Sequence, residues 1–141
     1  VGLTTVTPAS GSIGVPGGLI LSLAGGFGSY IAIDIIRGKL KIEDSLDVFA
    51  VHSVGGIIGS LLVAFLALPG LSGLGLADGV TPCSQFLVQL ASVAITVAWT
   101  LLVSVIIVMI AKAVADLRVD DQKEVDALDL AEHGERGYPG N

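Results

Sequence analysis

One histidine stands where a polar ring is costly. From Val48 to Leu68 the chain is apolar or glycine apart from His52, Ser53 and Ser60. Hydrocarbon offers the ring nitrogens no hydrogen-bonding partner, so an ionisable group in such a run marks a site by default. A neutral imidazole carries one donor and one acceptor and changes charge near neutral pH, so it can hold a small base or pass a proton. At α-helical spacing the residues on the His52 face are Ser45, Val48, Phe49, Gly55, Gly56, Gly59 and Val63. Most are small, which predicts that another helix or a narrow passage comes close to the ring. The bland alternative is a packing histidine satisfied by a carbonyl or hydroxyl of a neighbouring helix. Other chemistry is absent from the pattern. No H-E-x-x-H, no pair of intramembrane acids and no G-x-S-x-G motif occurs, so an enzyme is not expected.

The elements that must position this ring are membrane spans. Hydrophobic residues make up 52% of the 141 residues, charged residues 14%, and the mean hydropathy is +0.86, which argues against a soluble fold. Nineteen glycines with few aromatics suit closely packed transmembrane helices. The reading is all-α, a polytopic transmembrane helical bundle. Cys83 is the sole cysteine, so no intrachain disulfide or paired-cysteine metal site forms, and no cofactor is implied. No basic stripe interleaved with aromatics points to nucleic acid. The net charge of −6 says little about partners, because most acids sit in the final segment after Asp116. The chain opens on Val1-Gly2-Leu3 without an initiator methionine or a basic leader, and is therefore expected to be part of a longer protein.

Three spans are expected, over about residues 13–36, 46–68 and 85–113, within a membrane region covering residues 1–119. A cytoplasmic tail, residues 120–141, follows. Roughly 20 apolar residues cross a bilayer. Gly14 and Gly18 form a G-x-x-x-G step in the first span, and Ser22 and Gly26 a weaker version, which predicts helix packing there. Asp44 or Ser45 is the expected N-cap of the second span. Pro69-Gly70 ends it. The third pattern runs on to about Val119, so a tilted helix of about 45 Å is expected. If the second helix begins near Leu46, His52 lies only about 9 Å along it, short of the midplane of a core roughly 30 Å thick.

Charge sets the orientation. Arg37, Lys39 and Lys41 lie between spans one and two, and Lys112, Arg118, Lys123 and Arg136 lie at or after the end of span three. Residues 1–12 and 71–84 hold no Lys or Arg. The positive-inside rule therefore puts the first turn and the C-terminal tail in the cytoplasm.

The run Asp47-Val48-Phe49-Ala50-Val51-His52-Ser53-Val54-Gly55-Gly56 resembles the ammonium transporter (Amt/Rh) family. Three further stretches agree in the family's order: Thr7-Pro8-Ala9-Ser10-Gly11, Lys39-Leu40-Lys41-Ile42-Glu43-Asp44, and Leu128-Asp129-Leu130-Ala131-Glu132-His133-Gly134-Glu135-Arg136-Gly137-Tyr138. The resemblance implies the last three helices and tail of an eleven-helix, inverted-repeat transporter of the plasma membrane, assembled as a homotrimer with one pore per subunit. It implies that His52 is the second of two pore histidines, that Val48 lines the narrow apolar wall, and that Asp47 is a structural residue at the helix start. It implies ammonium or ammonia as the substrate, with ammonium giving up its proton and ammonia crossing. In the tail it implies a regulatory stretch with Asp129, His133, Gly134 and Tyr138, and a PII-type signalling protein as a partner. Ala50 and Ser53 depart from the glycines many members carry, yet both are small. The rival reading is a membrane anchor or sensor whose working part is the tail.

Overall fold

The computed structural model describes residues 1–42, 44, 46–115, 117 and 134. The described residues are helical or irregular, and three helical stretches are long and apolar enough to cross a membrane: Val15–Lys39, Phe49–Leu66 and Pro82–Val114. The chain falls into two compact units, residues 1–97 and 98–141.

In the first unit, helix α1 (Gly2–Val6) runs into a 3₁₀ turn at Thr7–Ala9. Helix α2 (Val15–Ile33) starts after Gly14, whose backbone is extended, with Pro16 in the first turn. There a missing N–H costs nothing and the fixed φ suits a helix. The helix then widens into a π-helical stretch at Asp34–Lys39, past the Ile36 expected as its end. The next helical segment begins with a π turn at Phe49–Ser53 and continues as α3 (Val54–Leu66). It cannot start at Leu46, because Asp47 has φ +52°, a left-handed backbone that breaks a right-handed helix. A 3₁₀ turn at Pro69–Leu71 closes that segment.

Helix α4 spans Pro82–Val114. Its start is a reciprocal cap: the Thr81 Oγ1 accepts from the Ser84 N–H at 3.2 Å, and the Ser84 Oγ accepts from the Thr81 N–H at 3.0 Å. This explains a start three residues ahead of Gln85, with serine doing the work usually given to glutamate in a capping box. Within the first unit, the rings of Phe65 and Phe86 meet with centroids 5.5 Å apart. In the second unit the helix residues from Ala98 carry no buried side chain, and Trp99 is exposed.

The first unit is built around Thr5. Its side chain is fully buried, against the backbones of Gly25 in α2 and of Gly55 in α3. The Thr5 carbonyl lies against Gly59, where a Cβ would collide with it. The short helix is thus wedged into notches that only a missing Cβ leaves open. The contacting line of α2 is Gly17, Leu21, Gly25 and Ser29, all buried. The Gly14–Gly18 and Ser22–Gly26 steps expected above are used only in part: Gly14 is pressed against the backbone of Leu71 and Ser72 and Ser22 lies beside Gly2 of α1, whereas Gly26 has nothing within 4 Å of where its Cβ would be. The apolar core beside the wedge is Ala9, Leu21, Val63, Leu66 and Ala67. Two buried hydroxyls of the first unit, Thr5 Oγ1 and Ser29 Oγ, have no hydrogen-bond partner among the described residues.

Candidate functional site

His52 occupies the π turn Phe49–Ser53, in the first turn of its span. Its surroundings differ from those that α-helical spacing predicts. The buried residues of this segment are Ala50, Gly55, Gly59, Val63, Ala64 and Leu66, and the line through Ala50, Gly55, Gly59 and Val63 has a first step of five residues followed by two steps of four. A π turn closes i to i+5 and so inserts one residue into the face. In a continuous α-helix, Val51 and His52, four and three residues ahead of Gly55, would fall on the buried line. The inserted residue moves Ala50 onto that line and leaves His52 exposed. Gly55, Gly59 and Val63 are therefore parted from the histidine, while exposed Val48 and Phe49 precede it and open Gly56 follows it by one turn. Among the described residues the ring makes no hydrogen bond.

Three groups secure the start of this turn. The Asp44 carboxylate accepts from the N–H groups of Val48 at 2.8 Å, Phe49 at 2.9 Å and Ala50 at 3.3 Å. Orphan donors at a helix start need such partners, and a carboxylate also suits the positive end of the helix dipole. Asp44 does this from four residues upstream of Val48, reaching over the left-handed step at Asp47 and not from the usual N-cap position. Ser45, the other expected cap, lies outside the described residues. The carbonyl of Asp47 accepts from the Val51 N–H at 2.8 Å, and its carboxylate pairs with Arg37 at 3.3 Å. The third is Thr4, whose single hydroxyl hydrogen is shared between the Val1 carbonyl, 2.6 Å from Oγ1, and the Val51 carbonyl, 3.3 Å away.

The sequence reading missed Arg37 as the partner of Asp47, and missed Thr4 and Thr5 altogether. The only local hint was that Thr4-Thr5 is a polar pair at the edge of an apolar connection, which is compatible with many roles. Of the tail residues, Asp129, His133 and Tyr138 lie outside the described residues, and Gly134 is exposed with φ +66°. Among the described residues no three His, Cys, Asp or Glu side chains come together to hold a metal ion.

Comparison with known proteins adds the last observation. A sequence model described as Ammonium Transporter Family matches residues 1–138. The chain is 42% identical over 139 residues to "Ammonium transporter Amt1" of Archaeoglobus fulgidus, covering 97% of this chain and 34% of that protein. It is 33% identical to "Ammonium transporter" of Aquifex aeolicus, with 97% of this chain and 32% of that protein covered. Against "Ammonium transporter 1" of Dictyostelium discoideum it is 35% identical, covering 97% and 30%. The chain thus spans about a third of the length of the curated relatives it matches.

Proposed function

The chain belongs to the ammonium transporter family, a family of transporters and not of enzymes, and on that footing we propose that it is the C-terminal part of an ammonium or ammonia channel. In this reading ammonium gives up a proton at the entrance to an apolar passage, and ammonia crosses beside a pair of histidines, one of them His52. The observation that carries it is the exposed imidazole, without a hydrogen-bond partner among the described residues, in an otherwise apolar and glycine-rich span.

The chemistry favours this division. A bare cation in hydrocarbon is very costly, whereas neutral ammonia is not. Splitting NH4+ into NH3 and a proton lowers the barrier, and potassium has no proton to give. A neutral imidazole can accept from one N–H of ammonia and donate to its lone pair, and a second ring nearby can share the proton and fix the tautomers. Val48 narrows the wall one turn ahead of His52, and Asp47 keeps a structural role at the helix start. In this reading the first turn of the span, which starts at Phe49, is sunk below the cytoplasmic membrane surface. Arg37, Lys39 and Lys41 then face the cytoplasm, as does the tail carrying Asp129, His133, Gly134 and Tyr138. The protein sits in the plasma membrane as a homotrimer, and the tail receives a PII-type regulator.

The test is His52→Ala in the whole transporter. Uptake of methylammonium is expected to be lost or to change its selectivity, while the amount of assembled protein stays the same, since the ring has no internal partner to lose. Normal uptake with unchanged selectivity refutes the assignment.

A further inference from the structure

Two wide helical turns flank the connector between the first two spans, one at Asp34–Lys39 and one at Phe49–Ser53. Wide turns are rare and collect at functional sites. Among the described residues one ion pair ties the first of them to the step just ahead of the second: Arg37 Nη1 lies 3.3 Å from Asp47 Oδ1 and 3.5 Å from Oδ2. We infer that Arg37 and Asp47 are positioning residues for His52, their pair holding the backbone step from which the second wide turn begins and so fixing the side of the helix on which the imidazole stands.

Asp47 carries the argument. Its φ of +52° is a conformation that residues other than glycine adopt at a cost, although aspartate tolerates it better than most. Such a backbone persists where its surroundings over-determine it, and it gathers at sites where geometry matters. Three ties do so here. The Asp47 N–H donates to the Asp44 carbonyl at 3.0 Å, its carbonyl accepts from Val51 at 2.8 Å, and its carboxylate is held by Arg37. If the step at Asp47 relaxes to a right-handed backbone, the helix can wind back as a plain α-helix. The buried line set by Gly55, Gly59 and Val63 then continues through Val51 and His52 in place of Ala50. The imidazole would turn from the open side of the helix towards the wedge at Thr5.

The side chains of Arg37 and Asp47 are 53% and 26% exposed. A pair that open contributes little to overall stability. Its loss is therefore expected to act on the register of one turn and not on whether the bundle forms. For its effect on transport, the inference rests on the function proposed above.

The experiment uses the whole transporter with ¹⁵N-labelled histidine, the His52 ring signal being assigned by its disappearance in His52→Ala. Arg37→Gln and Asp47→Ala are each expected to shift that signal and to raise the KM for methylammonium by about threefold or more, as small misplacements of a binding group do. Trimer yield and thermal midpoint should remain those of the parent. Arg37→Lys, which restores a cation without the guanidinium fork, should return the signal and the KM towards the parent values. A His52 signal unmoved in both Arg37→Gln and Asp47→Ala overturns the inference. A signal that moves while uptake stays normal, in a protein whose His52→Ala variant also transports normally, supports the positioning and refutes the transport role of the ring.

Discussion

Helices α3 and α4 are both apolar enough to span a bilayer, yet they differ in how they meet their surroundings. Helix α3 carries Gly55, Gly56 and Gly59 and buries a line of residues against α1 and α2. Helix α4 has 33 residues against 13 in α3, contains no glycine, and buries no side chain within the described residues. In lipid, apolarity cannot tell one helix face from another, because acyl chains are as apolar as leucine. Contact is decided by how near two backbones can come. Glycine permits that approach at Thr5, whereas the Val, Ile and Leu sheath of α4 leaves every face equivalent until some other surface selects one.

The largest effect should come from filling a notch. Gly59→Val puts a branched side chain where the Thr5 carbonyl already lies, an overpacking expected to cost about 3 kcal/mol or more in the whole transporter. A thermal midpoint lowered by several degrees, or loss of assembled protein, would bear this out. An unchanged midpoint would mean that the wedge is not a packing centre. Thr5→Val keeps the shape of the wedge and removes its unpaired hydroxyl. Stability should rise by about 1 kcal/mol in the same measurement, and a fall would reveal a partner for the hydroxyl. The smallest effect belongs to α4. Ile106 is 49% exposed, and Ile106→Leu should change stability by no more than about 0.5 kcal/mol. A larger change would show that another part of the protein reads this face in detail, and the contrast between the helices would narrow.

Particular residues show how far a sequence reader can go. The span containing His52 is legible because a long apolar run has few solutions, and its ends are marked by Asp44, Asp47 and Pro69. The role of Asp44 as a helix-start acceptor is legible too, since a carboxylate ahead of an apolar run has an obvious use. That it serves three N–H groups from beyond a left-handed step is not legible, because no local rule requires aspartate at position 47 to adopt φ +52°. The choice among glycines was likewise hidden. Gly14–Gly18 and Ser22–Gly26 match the small-residue motif, but Gly17 and Gly25 are the buried glycines. In a helix with glycines at five of its positions and a sixth just ahead of it, such a motif fits several faces.

Composition, charge and pattern by themselves determined that this chain forms apolar helices, where positive charge flanks them, and that one histidine lies inside a run hostile to it. These follow from properties each segment carries alone: hydropathy, helix length and the cost of an unpartnered polar group. Only the tertiary structure decided which side of the helix that histidine takes. The register there depends on one inserted residue between Ala50 and Gly55, at a turn whose start is tied by Thr4, Asp44 and Asp47 from outside it.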